Sequence, residues 1–265
     1  DDEGLDPAYF EAACAAFAPR FLYLMPTYQN PTGASYSWGR CEAIMRIAHA
    51  HNVLLVEDDV YGLLTYEDTP SLPLKAADVE GRVLYITSFS KAFMPGLRLG
   101  AIVTNEPYLT ALTQARQITD LNSSPFMQRA LARYLEQGLL GTHLQAARDL
   151  YRQRRDALLD ALTQLPSECR WTHPLGGLSL WLTLPPAVNE AQLVHDAIQE
   201  GIGVTRGQRF FSQPQQQGYV RLCFGAQPPA RLREGIQRLG RTIARHIRQR
   251  DALAAKVGRE SFPLV

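Results

Sequence analysis

Three short apolar runs constrain this chain more than anything else in it. Phe21-Leu22-Tyr23-Leu24-Met25-Pro26, Val53-Leu54-Leu55-Val56 and Val83-Leu84-Tyr85-Ile86 are each brief, and each gives way to polar residues at its carboxyl end. Runs of that length bounded by turn residues predict buried strands. Helical patterns separate them. Asp6-Pro7 caps and opens a helix through Phe17, and Tyr36 to His51 places Ile44, Ile47 and Ala48 at helical spacing. A fourth strand, Leu99 to Thr104, follows the third run closely. Strands alternating with helices, with polar groups gathered at the strand ends, describe an open α/β sheet whose ligand lies outside the carboxyl edge.

The third run leads into Ser88-Phe89-Ser90-Lys91-Ala92-Phe93-Met94-Pro95-Gly96-Leu97-Arg98-Leu99-Gly100. A lysine surrounded by Phe89, Phe93, Met94, Leu97 and Leu99 is expected to lose part of its preference for charge and to act as an amine nucleophile. Two serine hydroxyls and the Arg98 guanidinium supply the donors and the planar cationic fork that a phosphate monoester needs. An aldehyde carried on a phosphate fits both halves. The first run ends in Asn30-Pro31-Thr32-Gly33, which alone is ordinary turn punctuation. The second ends in Glu57-Asp58-Asp59, which alone reads as a solvated acidic loop.

Composition excludes several partners. Twenty-seven basic side chains against 26 acidic leave a formal charge of +1, so no global field recruits nucleic acid or an anionic membrane. With 265 residues, 46% of them hydrophobic, the chain can bury a large core and exceeds the usual size of one domain. Cys14, Cys41, Cys169 and Cys223 are far apart and form no CxxC pair, so reduced thiols are expected and no metal site is assigned. No apolar run approaches the ~20 residues of a membrane span, and no signal peptide opens the chain. A cytoplasmic protein is the expectation.

The remainder is read by pattern. Thr65 to Asp78, with Pro70 and Pro73, is a loop. Pro107 to Gln164 is helical almost throughout, with Leu150, Arg154, Leu158 and Leu162 on one face and a break at Asn122-Ser123-Ser124-Pro125. Gly176-Gly177 is a tight turn before the strand Leu178 to Leu182; Ala191 to Gly201 is a helix; Ile202 to Val204 is a strand; Phe210 and Phe211 fall in a loop. Tyr219 to Gly225 alternates, with Val220, Leu222 and Phe224 on one face and Arg221 on the other, where by itself it is as readily a solvated arginine as a ligand group. The last helix carries Leu232, Ile236, Leu239, Ile243 and Ile247 on one face with its arginines as a solvated flank, and Lys256 to Val265 is read as a tail.

The segment Ser-Phe-Ser-Lys-x-x-x-Pro-Gly-Leu-Arg-Leu-Gly resembles the Schiff-base segment of fold-type I pyridoxal phosphate (PLP) enzymes, the class I/II aminotransferases. Asn30-Pro31-Thr32-Gly33 and Val56-Glu57-Asp58-Asp59-Val60-Tyr61-Gly62 resemble two further motifs of that family in the same order, with Asp58 28 positions after Asn30 and Tyr61 three further on. The resemblance implies a PLP-dependent transferase-like large domain, with a mostly parallel sheet and helices on both faces, and a smaller α+β C-terminal domain. The large-domain portion is expected over 1–148 and the small domain over 149–265. It further implies that Lys91 forms a Schiff base with PLP and that Asp58 keeps the pyridine nitrogen protonated, Asp59 being the second choice. Asn30 and Tyr61 would hold the phenolic oxygen, Ser88, Ser90 and Arg98 the phosphate, and Arg221, with Asn30 nearby, the substrate carboxylate. The Gly-Gly segment would lie near the substrate.

Two functions are implied: an aminotransferase acting between an amino acid and a 2-oxo acid, or the effector-sensing domain of a MocR-type transcriptional regulator. Compared with the family, the upstream strands, the phosphate-binding turn and the ring that stacks on the pyridine are missing, so the chain is expected to be the C-terminal portion of a longer protein. In the regulator reading, DNA would be bound by a missing N-terminal domain and not by this segment. A homodimer is expected by analogy.

Overall fold

All three apolar runs are strands. In the computed structural model, which describes residues 1, 3–67, 72–119 and 122–260, the chain divides into two compact units: Asp1–Leu150 with Pro174–Gly177, and Tyr151–His173 with Leu178–Val265. Pro70 and residues 261–265 of the expected tail lie outside the described residues.

The first unit is built on a four-stranded sheet of β1 (Phe21–Leu24), β2 (Leu54–Asp58), β3 (Val83–Ser88) and β4 (Gly100–Val103), in that spatial order. β1 pairs with β2 and β2 with β3 in parallel, while β4 returns antiparallel beside β3. Strand alternation sends Leu24, Val53, Leu55 and Val83 into a core with Phe10 and Cys14 of α1 (Pro7–Phe17) and with Cys41, Ile44 and Ala48 of α2 (Trp38–Ala50). Fully burying one such leucine or isoleucine is worth about 1.5–3 kcal/mol. The first helix starts where the sequence predicts, while the second starts at Trp38, two residues after the expected Tyr36. The Asp6 carboxylate accepts from Ala8 N at 2.8 Å with Pro7 at the first helical position, and the Ser37 side chain accepts from Arg40 N.

After β3 come the short helix α3 (Phe89–Ala92), a 3₁₀ turn at Pro95–Leu97 and then β4. The helices α4 (Tyr108–Thr119) and α5 (Pro125–Glu136) follow; Pro125 is the first residue of α5 and Ser124 its cap. Leu131 of α5 packs on Leu97 and Leu99, joined by Phe89, Phe93 and Met127. Helices lie on both sides of the mixed sheet.

The long helix α6 (Leu139–Leu162) contributes residues to both units. The second unit holds an antiparallel sheet of β5 (Arg170–Trp171), β6 (Ser179–Thr183), β7 (Thr205–Arg206) and β8 (Tyr219–Cys223), in spatial order β5-β6-β8-β7, with α7 (Glu190–Gln199) between β6 and β7 and α8 (Pro229–Glu260) closing the chain. Leu180, Leu182, Val220 and Leu222 are buried, as are Leu193 and Ala197 of α7 and Leu232, Ile236, Leu239 and Ile243 of α8.

Four expectations change here. Leu150 is exposed although Leu158 and Leu162 are buried, because an i, i+4 series drifts about 40° per step and has turned about 120° after three steps. Ile202 to Val204 is not a strand. Gly201, at φ 74°, ends α7, and Ile202 N donates back to Ala197 O, so extended pairing begins only at Thr205. Phe210 belongs to a 3₁₀ turn, Gly207–Phe210. The helix α8 runs to Glu260, through part of the expected tail, because Asp251-Ala-Leu-Ala-Ala-Lys is rich in strong helix formers.

Candidate active site

The carboxyl ends of β1, β2 and β3 lie along one edge of the first sheet, since the three strands run parallel in adjacent register. Parallel strands leave their loops at the same end. Asn30 follows β1, Asp58 ends β2 with Tyr61 just beyond, and Ser88, Ser90 and Lys91 follow β3.

The second strand runs two residues past the apolar run, and that sorts the three acidic residues by face. Glu57 is fully buried on the core side, where its two carboxylate oxygens accept from Leu74 N at 2.7 Å and Lys75 N at 3.0 Å. Burial pushes its carboxyl up to about 7, against the pull of those two amides. Asp59 accepts a hydrogen bond from the Tyr85 hydroxyl at 2.8 Å; burial raises its carboxyl above the usual range. Asp58 points to the opposite face from both. Its Oδ2 accepts from the Tyr23 hydroxyl at 2.5 Å, while its Oδ1 is buried without a hydrogen-bond partner among the described residues. Asp59 Oδ1 is likewise buried without a hydrogen-bond partner among the described residues, so the two aspartates differ in the face they occupy: Asp58 meets Tyr23 of β1 and Asp59 meets Tyr85 of β3.

Tyr23 was not singled out by the sequence. Only the register makes it visible. It stands opposite Val56, one alternation before Asp58 and on the same face. Tyr23 lines a cavity of about 410 Å³ together with Gln29, Asn30 and Tyr36. Tyr61 lies near enough to act electrostatically on the Tyr23 phenol. Asn30, Tyr61 and Asp58 are thus brought together around Tyr23. The turn that carries Asn30 is tied down: Gly33 N donates to Gln29 O at 2.6 Å, Gln29 N to Ala34 O at 2.8 Å and Tyr28 N to Ser35 Oγ at 3.0 Å.

Ser88 caps α3, accepting from Ser90 N at 3.1 Å, and Ser90 is buried. The end of α3 is held from α6, where His143 Nε2 bonds Ala92 O at 3.0 Å and the His143 ring stands edge-on to Phe93. Lys91 does not sit in apolar surroundings. It is exposed, because in a four-residue helix the side chain two positions after Phe89 points about 200° away from it. Phe89, Phe93, Leu97 and Leu99 turn instead toward Leu131, and Met94 is half exposed. Arg98 is also exposed and holds φ 51°, a left-handed conformation that costs a non-glycine residue about 1–2 kcal/mol. Neither Lys91 nor Arg98 enters an ion pair or side-chain hydrogen bond among the described residues.

The Gly-Gly segment is a close approach as well as a turn. Gly176 bridges Thr65, Gly177 N donates to Leu64 O at 3.0 Å, and the Tyr66 hydroxyl donates to Gly177 O. A Cβ on Gly176 would stand 2.3 Å from the Tyr28 ring.

Arg221 belongs to the second unit. It lies in a cross-strand row with Thr205 and Trp181, donates to Thr205 Oγ1 at 3.3 Å, and its guanidinium carbon sits 5.2 Å from the Phe210 ring centroid. It is partly buried rather than fully solvated.

The sequence matches the family described as aminotransferase class I and II over residues 3–239. The chain belongs to that family. An aromatic-amino-acid aminotransferase of Thermococcus litoralis is 34% identical over 255 residues, which is 94% of this chain and 61% of the relative. An HTH-type transcriptional regulator of Bacillus subtilis is 34% identical over 245 residues, 92% of this chain and 50% of the relative. Among solved structures, the α-aminoadipate aminotransferase LysN of Thermus thermophilus, complexed with N-(5'-phosphopyridoxyl)-L-leucine, superposes with a TM-score of 0.89 at 30% identity, covering 94% of this chain and 65% of that one. The chain therefore spans between half and two thirds of the lengths of these class I and II relatives.

The residues at the strand edge suit the cofactor that the family implies. A protonated ring nitrogen is what the open Oδ1 of Asp58 lacks. A primary amine at Lys91 and a guanidinium at Arg98, both without partners among the described residues, match an aldehyde and a phosphate. Among the described residues no cluster of three metal-ligating side chains occurs, and no helix is long and apolar enough to cross a membrane.

Proposed function

We propose that this chain carries the catalytic groups of a PLP-dependent aminotransferase that moves an amino group between an amino acid and a 2-oxo acid. The observation that carries the reading is the Asp58 carboxylate, with Oδ2 engaged by Tyr23 and Oδ1 buried and open at the end of β2. Bound PLP supplies an electron sink for the pair left on the substrate Cα when its proton departs. Asp58 Oδ1 accepts the ring N–H and so holds the proton there. Asn30 and Tyr61 donate to the phenolic oxygen. Ser88, Ser90 and Arg98 bind the phosphate, with Arg98 as the two-pronged cation. Lys91 Nζ would hold the cofactor's aldehyde carbon and, as a free amine, would serve as the base and acid for the substrate α-proton. Arg221 grips the α-carboxylate, backed by the Phe210 ring. The protein is placed in the cytoplasm and works as a homodimer, with residues 1–148 and 149–265 as its large-domain and small-domain portions.

The test is to add PLP, reduce with borohydride and locate the pyridoxyl group by peptide mass spectrometry. Labelling confined to Lys91, and lost in Lys91→Ala, supports the assignment; labelling that survives in Lys91→Ala sinks it. The similarity to an HTH-type regulator favours a second reading, PLP-based effector sensing. The two separate in a single-turnover assay. An amino acid that converts the bound cofactor to its amine form and releases a 2-oxo acid marks the enzyme, whereas binding without conversion marks the sensor.

A further inference from the structure

We infer that Tyr23 is the positioning residue for Asp58: its hydroxyl, donated to Oδ2, fixes the rotation of the carboxylate so that Oδ1 faces the cofactor ring nitrogen. This rests on the reading of Asp58 given above. An aspartate at a strand end has two torsions to lose before it can point one oxygen at a ligand, and a site is effective when those torsions are already set. Leu74 N and Lys75 N set the carboxylate of Glu57, and Tyr85 engages that of Asp59. For Asp58 the partner comes from another strand, Tyr23 Oη at 2.5 Å.

The geometry is built into the sheet. Tyr23 pairs with Val56 in the β1–β2 register and so shares the face of Asp58, while its neighbours Leu22 and Leu24 turn into the core with Leu55 and anchor the strand beneath it. Tyr23 also lines the cavity that holds Asn30, so one ring touches both the group assigned to the ring nitrogen and the pocket of the group assigned to the phenolic oxygen. Desolvation of the hydroxyl, followed by its hydrogen bond to Asp58, holds the phenol above its ordinary range, so it stays protonated and remains a donor.

The experiment is a double-mutant cycle read as PLP affinity on the purified protein, with the ¹⁵N shift of labelled PLP as a second readout. Tyr23→Phe keeps the ring and deletes one hydroxyl, and thermal melts check that the fold is retained. Tyr23→Phe is expected to raise the PLP Kd about tenfold, the scale of a hydrogen bond to a charged group, and to move the ring-nitrogen resonance. In an Asp58→Asn background the same change should have no further effect on either. Weakening by Asp58→Asn with none by Tyr23→Phe overturns the role of Tyr23 and leaves Asp58 in place. Independent, multiplying effects also overturn it, since Tyr23 would then act elsewhere. If Asp58→Asn leaves affinity and resonance unchanged, the assignment of Asp58 itself fails and this inference falls with it.

Discussion

Glu57, Asp58 and Asp59 are consecutive carboxylates with three different surroundings, and each difference can be measured. Glu57 is fully buried and its carboxyl is pushed up to about 7 in the folded chain, against about 4.3 in an unfolded one. The folded state therefore holds a proton that the unfolded state has released, and stability falls as pH rises from about 4.3 to 7, by about 4 kcal/mol in all. Urea melts at pH 5 and 7.5 should show that loss. Glu57→Gln should flatten it, while costing about 1–3 kcal/mol at pH 5 because one of the Leu74 and Lys75 amides loses its acceptor. An unchanged slope in that variant would assign the pH dependence to another group. Arg98 offers a second separation of stability from function. Glycine adopts φ 51° without strain, so Arg98→Gly should leave the melting temperature unchanged or raise it by a few degrees while weakening PLP binding at least tenfold. A variant that melts lower and binds PLP normally would contradict both halves.

At the scale of elements, the antiparallel return of β4 brings Gly100 beside β3. Ser88 pairs with Gly100, and a Cβ there would stand 2.7 Å from Thr87 O. Gly100→Ala is expected to push the two strands apart at the residue that caps α3, costing about 1–3 kcal/mol and weakening PLP binding through Ser88 and Lys91. Asp6→Ala is the contrasting case. It removes the cap of α1, which lies on the core face and away from the strand edge, so about 1 kcal/mol of stability should be lost with PLP affinity intact. Calorimetry and a cofactor titration on both variants check the pair of expectations. That α1 and α2 were legible is due to local chemistry: Asp6 and Pro7 sit where a helix needs a cap and a first residue, and Ile44, Ile47 and Ala48 recur at helical spacing. The strand at Thr205 was not. Its start depends on where the last turn of α7 unwinds, which is set by the backbone at Gly201 and not by the apolarity of Ile202 and Val204.

For the whole molecule, a near-neutral charge of +1 leaves apolar surface as the main handle for a partner. Ile118 and Phe126 are 87% and 74% exposed in the first unit. If they lie in the proposed homodimer interface, Ile118→Lys with Phe126→Lys should shift the mass measured by light scattering from dimer to monomer without lowering the melting temperature; a dimer of unchanged affinity would remove these residues from the interface. The sequence by itself determined the α/β class, the strand-end positions of Asn30, Asp58, Ser88 and Lys91, and the family, because a short apolar run and the turn after it are local properties that composition and spacing encode. Only the tertiary structure decided which face each carboxylate takes and that Tyr23 is the residue that engages Asp58. It also decided that Lys91 stands clear of its apolar neighbours. Each of these depends on pairing between residues distant in sequence. The β1–β2 register sets Tyr23 against Asp58, the fold of residues 74–75 occupies Glu57, and packing on Leu131 draws Phe89 and Phe93 away from the lysine between them.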